Sequence, residues 1–308
     1  MRAALLTALL LTACTSPAAD DDDDASPGPT PTPVPGSIEA LCAPIDVDLP
    51  IFDAHVHTRG ESTEEDGLDW AKALLRDMNA HGIQRAVVLP PPFRDDPLEQ
   101  EQVLATQSRW GELARRCDRV DPMVSAFDPR DPDAAAGVIE QLDGAPFAGL
   151  GALEFDDLSI DPAGGAMPAL YAAVAERGLT VQFHARHADL APERQEALLA
   201  VIRDWPEIPF VWFGFLDPGR WADAPDNLFA VRLPNEAMCG NCPAPSESPL
   251  RLVLGSDSPP EGYEAQVHLD WDTLGEAAEY ARERLEAMPA SEAAWLEANH
   301  EAAFPRRD

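Results

Sequence analysis

Two histidines, His55 and His57, stand two residues apart at the end of an apolar run that begins at Leu49. Side chains two apart on a β-strand point to the same side. A single buried histidine usually serves packing, but two imidazoles at one strand end both need polar partners. Such a pair is typical of a chelate for a transition metal. The spacing therefore predicts a metal site at the end of the first strand.

Two further candidate ligands end later apolar runs, His184 at the fifth and Asp257 at the eighth. Three imidazoles and one carboxylate suit Zn, Fe, Mn or Co. His187 replaces His184 as the candidate if the fifth strand runs longer. Asp257 has an alternative role as the cap of a following helix.

Two other carboxylates lie near these positions. Asp53 has the same parity as the two histidines, so we expect it on their side of the strand, one step deeper, as a structural group. Glu154 ends the fourth strand and either bridges a second metal or serves as a buried or rim carboxylate with an ion-pair partner. One metal is the default expectation.

Alternating strands and helices explain how such distant residues can meet. Short apolar runs joined by helical segments predict parallel strands with crossover helices, and eight such strands favour a closed (β/α)8 barrel with its site at the carboxyl ends of the strands. The predicted strands are 49–56, 83–89, 122–127, 147–155, 179–184, 210–215, 228–233 and 250–255. The predicted helices are 68–80, 99–116, 134–142, 167–177, 193–204, 273–288 and 291–301, with at most a stub between strands six and seven.

These motifs together resemble the amidohydrolase superfamily. The strand-one Asp-x-His-x-His, the strand-five histidine and the strand-eight Gly-Ser-Asp are most similar, in order and spacing, to its amidohydrolase-related branch of hydrolases and metal-dependent decarboxylases. The segment from Asn299 to Phe304 is similar to the Asn-x-x-x-x-Phe/Leu closing helix of that branch. The resemblance covers residues 50 to 304.

The resemblance implies a role for each matched residue. His55, His57, His184 and Asp257 would bind one divalent metal, by default Zn, and Asp257 would also accept a proton from the metal-bound water. The implied reaction is hydrolysis of a carbonyl, amide, ester or lactone bond in a small molecule. Decarboxylation with the same ligands is the alternative.

The sequence departs from the branch at strand six, where its members place a fourth histidine. Gly214 falls near the expected position, and the loss removes a donor often worth about 3 kcal/mol in a transition state. Arg186, Arg232 or His268 could replace it from other loops, or the barrel binds a small molecule with impaired catalysis. Lys72, the only lysine, is on the first helix, which excludes a carboxylated lysine after strand four.

The amino-terminal part has the pattern of an export signal. Residues 1–13 combine Arg2, a short apolar stretch and small residues, and Leu11 to Cys14 resemble a bacterial lipobox. We expect lipidation at Cys14, an Asp- and Pro-rich linker over 14–45, and the barrel over 46–308. The expected location is the bacterial envelope, periplasm or outer membrane, with membrane contact only through the lipid; an ordinary secretory signal is the alternative.

Net charge and cysteine content indicate which partners and which cysteine chemistry to expect. The net charge of -33 repels phosphate backbones and excludes nucleic acid as the expected partner. Besides Cys14 there are four cysteines, an even number that favours disulfides outside the cytoplasm. A local bridge from Cys239 to Cys242 is preferred to a zinc or redox site, and Cys42 with Cys117 is a possible second pair.

Overall fold

The computed structural model describes residues 34–57, 66–155, 160–185, 192–214, 223–232, 251–257 and 274–306. Eight parallel strands pair with their sequence neighbours in the order β1 to β8, which confirms the predicted (β/α)8 barrel. The strands are β1 (Ile51–His57), β2 (Ile83–Leu89), β3 (Val120–Val124), β4 (Gly149–Leu153), β5 (Thr180–Ala185), β6 (Phe210–Gly214), β7 (Leu228–Arg232) and β8 (Arg251–Leu254).

The helices lie mainly between consecutive strands, as a crossover pattern requires. They are α1 (Ile38–Leu41), α2 (Asp66–His81), α3 (Pro97–Ala114), α4 (Ala134–Gly144), α5 (Met167–Glu176), α6 (Pro192–Asp204), α7 (Leu274–Ala287) and α8 (Ala290–Ala303). Gly82 ends α2 with a φ of 69°, and a side chain there would collide with Arg282. The glycine therefore lets the chain turn directly into β2.

Alternation along the strands divides the core into two layers. In β2, Ala86 and Val88 pack with the helices, whereas Val87 and Leu89 belong to a smaller cluster inside the barrel. That inner cluster also contains Phe304, which follows α8. Side chains thus fill the barrel below the carboxyl ends of its strands, as is usual for this fold.

The end of α8 closes the amino-terminal face of the barrel. Asn299 donates to the carbonyl oxygen of Leu252 over 3.0 Å, and Arg85 donates to that of Phe304 over 2.9 Å. Thr180 donates to the carbonyl oxygen of Ala303. These three bonds join the closing helix to β8, β2 and β5, so the Asn-to-Phe segment ties three strands together.

The side chain of His300 is buried in the same region, next to two aromatic rings. Its ring lies 5.2 Å, centroid to centroid, from both Phe52 and Phe304, and neither ring nitrogen has a hydrogen-bond partner among the described residues. Burial, helped by the charges of Arg85 and Arg306, lowers the pKa of His300 to about 3. The histidine is therefore held neutral inside the fold.

The segment before β1 is fixed to the amino-terminal face. A disulfide joins Cys42, next to α1, to Cys117 in the turn between α3 and β3. The buried Arg119 donates to the carbonyl oxygens of Leu41 and Ala43 over 3.0 and 3.1 Å. The compact unit begins at Val34. Residues 34–45, which were predicted to belong to the linker, are therefore part of this unit. The disulfide and the hydrogen bonds from Arg119 hold this stretch against the barrel.

Several sequence predictions concern residues outside the described ranges. They include the signal peptide, Cys14, Arg186, His187, His268, and the Cys239 and Cys242 pair. Among the described residues, no helix combines the length and apolar character needed to cross a bilayer.

Candidate metal centre

Strand β1 brings His55 and His57 to the carboxyl-terminal mouth of the barrel. Their rings meet edge to face, with centroids 4.7 Å apart and Nε2 atoms 3.1 Å apart. His55 is fully buried, whereas the side chain of His57 keeps 25% of its surface exposed. His57 is thus the one of the pair that a ligand entering from solvent would meet.

Asp53 is placed differently from our expectation. The pairing of β1 with β2 shifts register between Asp53 and Val56, so simple alternation fails across this step. Asp53 lines a small cavity with Ala277 and Ala281 of α7, on the helix side of the strand. The prediction that it lies on the side of the histidines was therefore wrong.

The carboxylate of Asp53 joins the first and last strands instead. Its Oδ1 accepts hydrogen bonds from the backbone N–H groups of His55 and Ser256, each over 3.0 Å. Burial raises the pKa of Asp53 to about 6, against the opposing effect of Ser256 and His55. Asp53 thereby fixes the backbone of one candidate ligand and of the residue that precedes another.

The segment after β8 lies directly against His55. A side chain at Gly255 would come within 2.9 Å of Cβ of His55 and 2.5 Å of Val231, so only glycine allows this approach. Asp257 follows with a φ of 57°, a left-handed conformation that aspartate tolerates better than most residues. Its backbone N–H donates to the carbonyl oxygen of His55 over 2.9 Å, which completes the contact between β8 and β1.

The carboxylate of Asp257 faces both histidines. Its Oδ1 lies 2.7 Å from Nε2 of His57 and 3.4 Å from Nε2 of His55. Burial alone would raise the pKa of Asp257, but the interactions with His55 and His57 outweigh it and hold the pKa well below its usual range. Asp257 is therefore an ionised carboxylate in a buried position.

Strand β5 adds the third imidazole. The ring of His184 is buried, and its centroid lies 5.4 Å from that of His55 and 5.8 Å from that of His57. One ligand atom from each of His55, His57, His184 and Asp257 falls within 4.8 Å of all the others. The structure thus brings together the four residues that the sequence singled out.

This donor set fits a divalent cation. Its atoms are imidazole nitrogens and a carboxylate oxygen, the ligands that Zn and similar ions prefer. Oδ1 of Asp257 has less than 1 Å² of exposed surface and no hydrogen-bond partner among the described residues, despite its short distance from His57. A buried anionic oxygen that faces two imidazole nitrogens at 2.7 and 3.4 Å is in the position of a ligand to a shared cation.

Phe213 occupies the strand-six position at the site. It pairs in register with His184, and its ring stacks on those of His55 and His184 at centroid distances of 3.9 and 4.8 Å. The sequence shows that strand six lacks a histidine, but the position predicted for it, Gly214, pairs with Ala185 and not with His184. An aromatic residue at a strand end is typical of a core, so nothing marked Phe213 as part of the site.

Gln182, which the sequence analysis also did not single out, lies fully buried beneath the site in β5. Its side-chain nitrogen is 3.1 Å from Nδ1 of His55 and 3.1 Å from the carbonyl oxygen of Ala54. Its parity with His184, two residues later, is the sequence signal that could have placed it inside the barrel.

The other candidates are not part of the four-residue group. Glu154 follows β4 and is half-buried, and it does not belong to the converging set among the described residues. Lys72 lies on α2, as predicted. Arg232 ends β7, and its side chain is outside the described part of the structure.

Solved structures with very different sequences share this fold. A protein from Staphylococcus aureus assigned as an amidohydrolase matches with a TM-score of 0.59 and 9% identity, over 84% of this chain and 99% of that one. The 4-oxalomesaconate hydratase from Rhodopseudomonas palustris matches with a TM-score of 0.54 and 12% identity, over 83% and 95% of the two chains.

A third match was solved with a metal. The 5-carboxyvanillate decarboxylase from Novosphingobium aromaticivorans, complexed with manganese and 4-hydroxy-3-methoxy-5-nitrobenzoic acid, gives a TM-score of 0.55 and 13% identity, over 84% and 97% of the chains. At such identities the likeness establishes the fold alone. No protein-family model and no curated protein matches the sequence.

Proposed function

We propose that this protein is a metal-dependent hydrolase that acts on a carbonyl, amide, ester or lactone bond of a small molecule. The observation that carries the proposal is the convergence of three imidazoles and one carboxylate, from β1, β5 and the end of β8, within 4.8 Å. Neighbours that share the fold include proteins named as a hydratase and a decarboxylase, which is consistent with catalysis at this end of the barrel.

One divalent cation, by preference Zn and otherwise Fe, Mn or Co, would be held by His55, His57, His184 and Asp257. When bound, such a cation supplies a Lewis acid that polarises a carbonyl oxygen and lowers the pKa of a water molecule. The manganese in the decarboxylase structure supports a first-row divalent ion.

Asp257 is the group that moves the proton in the proposed reaction. Its buried carboxylate lies among the candidate ligands, so it is placed to accept a proton from the attacking water and later to pass it to the leaving nitrogen or oxygen. The partly exposed His57 borders the route of the substrate. Phe213 covers one face of His55 and His184 and keeps water from that side.

Decarboxylation is the second candidate, and one specific observation favours it. Phe213 fills the strand-six position, so the side chain at that position offers no hydrogen-bond donor to the oxyanion of a hydrolytic transition state. A decarboxylase of the same fold was solved with manganese and a nitrobenzoic acid. Small aromatic acids therefore belong on any substrate panel.

Turnover by metal-loaded protein tests the proposal. Protein dialysed against a chelator and reloaded with Zn²⁺ or Mn²⁺ is assayed on ester, lactone, amide and aromatic-acid substrates, together with His55→Ala and Asp257→Ala. We expect activity that both substitutions abolish and that His81→Gln, a histidine change on α2, leaves intact. Loaded protein that binds panel compounds but converts none would overturn the enzyme proposal and favour a binding barrel.

We also propose that the protein is exported and anchored in the bacterial envelope by lipid at Cys14. The support is the lipobox-like Leu11 to Cys14 and the acidic, proline-rich stretch that follows it. Full-length protein should sediment with membranes, and Cys14→Ser should release it. Equal distribution of both proteins between membrane and soluble fractions would contradict the anchor.

A further inference from the structure

The side-chain nitrogen of the buried Gln182 makes two polar contacts. Its side-chain nitrogen lies 3.1 Å from the carbonyl oxygen of Ala54 and 3.1 Å from Nδ1 of His55. Its Oε1 is buried and has no hydrogen-bond partner among the described residues. A fully buried amide with an unsatisfied oxygen beside a candidate ligand requires an explanation.

The contact with Ala54 determines which way the amide points. A backbone carbonyl oxygen can only accept, so the atom that faces it has to be the NH₂ group of Gln182. The second proton of that group is then available to Nδ1 of His55, 3.1 Å away. Nδ1 accepts, and a neutral His55 carries its proton on Nε2.

This proton occupies the nitrogen that a cation would use. Nε2 of His55 lies 3.4 Å from Oδ1 of Asp257 and 3.1 Å from Nε2 of His57, at the centre of the candidate site. A protonated ring nitrogen has no lone pair for a metal. Coordination by His55 therefore requires the proton to move to Nδ1, which then needs an acceptor.

We propose that Gln182 is a positioning residue that controls which nitrogen of His55 carries the proton. With its NH₂ group toward the ring it favours the Nε2–H form, and after a half-turn of the amide Oε1 accepts from Nδ1–H and leaves Nε2 bare. The half-turn breaks the hydrogen bond to the carbonyl oxygen of Ala54. Because this bond favours the orientation that keeps the proton on Nε2, Gln182 lowers the affinity of the wild-type protein for the cation. The affinity part rests on the proposed function, but the proton position is a property of the metal-free chain.

The proton position can be measured directly by ¹⁵N NMR of histidine-labelled, metal-free protein at pH 8. The chain has seven histidines, and the signals of His55 are identified by their loss in His55→Gln. We expect the Nε2–H form in the wild type and the Nδ1–H form in Gln182→Glu, whose carboxylate can only accept. Thr180→Val, a buried polar change two residues earlier in β5, should leave the wild-type form unchanged.

Zn²⁺ affinity, measured by competition with a chromophoric chelator, gives a second readout. Gln182→Glu should bind Zn²⁺ about 10- to 100-fold more tightly, in the range typical of groups that orient metal ligands, and Thr180→Val should bind as the wild type does. Tighter binding without a change in proton position would reflect the added charge alone and would contradict the proposal.

Two results would overturn the inference without any variant. One is a metal-free wild type whose His55 already carries its proton on Nδ1. The other is a Zn²⁺-loaded wild type that keeps the proton on Nε2. If no cation binds at all, the proposed function fails, while the metal-free measurement still decides the role of Gln182.

Discussion

The ring of Phe213 stacks on the imidazole of His55, with centroids 3.9 Å apart and planes inclined by 15°. The same ring lies 4.8 Å from that of His184 at an angle of 23°. One apolar side chain thus holds two candidate ligands nearly parallel, from the strand where the resemblance places a histidine. Phe213 therefore orders the two imidazoles, but it occupies the position at which a histidine would offer a hydrogen-bond donor.

Phe213→His should restore that donor beside the proposed cation. We expect kcat on the best substrate of a hydrolase panel to rise about 100-fold with little change in KM, since an oxyanion donor acts mainly in the transition state. Steady-state kinetics at saturating cation provide the measurement. Phe213→Leu, which supplies no donor, is the control, and an equal kcat for both variants would argue against the role assigned to this position.

Asp257→Asn should remove most of the cation affinity while keeping the shape of the side chain. The buried carboxylate is the one anion of the four-residue group. We therefore expect Zn²⁺ binding to weaken by more than about 100-fold, which exceeds the loss typical of residues that only orient a metal ligand. Isothermal titration checks this. Asp204→Asn, an exposed change at the end of α6, should bind as tightly as the wild type does.

Asp53→Ala should destabilise the barrel where β8 meets β1. Two buried N–H groups, of His55 and Ser256, lose their acceptor, which costs about 3 kcal/mol in the free energy of unfolding. Urea unfolding of the metal-free proteins measures the loss. Asp46→Ala, at an exposed position before β1, should cost less than about 0.5 kcal/mol, and similar values for both would contradict the role of Asp53.

The neutral, buried His300 should make the fold sensitive to acid. Its pKa is about 3 when folded and 6.5 in the reference state, so the unfolded chain binds the extra proton between these values. Its full contribution to stability is therefore present above pH 6.5 and is lost, by about 1.4 kcal/mol per pH unit, as the pH falls toward 3.

His300→Leu should remove this part of the pH dependence. Between pH 7.5 and pH 5 the wild type should lose about 2 kcal/mol more unfolding free energy than the variant does. The charged groups around this region, Arg85, Arg306, Asp121 and Glu301, remain in both proteins and cancel in the comparison. Parallel pH profiles for the two proteins would show that His300 is not buried in neutral form.

Loss of the disulfide in Cys42→Ala/Cys117→Ala should cost about 4 kcal/mol, because the bridge closes a loop across a sequence separation of 75 residues. Glu39→Gln breaks the exposed ion pair with Arg116 in the same region and should leave the free energy of unfolding nearly unchanged. Guanidinium unfolding of both variants gives the comparison. A double variant as stable as Glu39→Gln would show that the bridge contributes little.

The sequence predicted the barrel because each strand is a short apolar run and the first five crossovers have helical spacing. The four converging residues were predictable for the same reason, since each ends a run and parallel strands present their carboxyl ends at one face. The resemblance to a known branch added the order of the motifs, which alternation alone does not supply.

Three features at the site were not predicted from the sequence, and alternation could have given only the position of Gln182 inside the barrel. Asp53 changes sides because β1 shifts register between Asp53 and Val56, and register depends on contacts with β2. Phe213 reads as a core residue, and Gln182 as an isolated polar residue in an apolar strand. The roles of these two residues follow from contacts with other strands of the barrel. Such contacts cannot be inferred from the neighbouring residues in the sequence.

The attachment of the first described segment has a practical consequence. Cys42, Leu41 and Ala43 are fastened by Cys117 and Arg119 at the end of the barrel where the strands begin, and His57 opens at the end where they finish. Protein shortened to begin at Val34 and coupled through that end to a bead or a surface would be held at the end of the barrel opposite His57. The side of the molecule on which His57 is exposed would then face the surrounding liquid in a solid-supported assay.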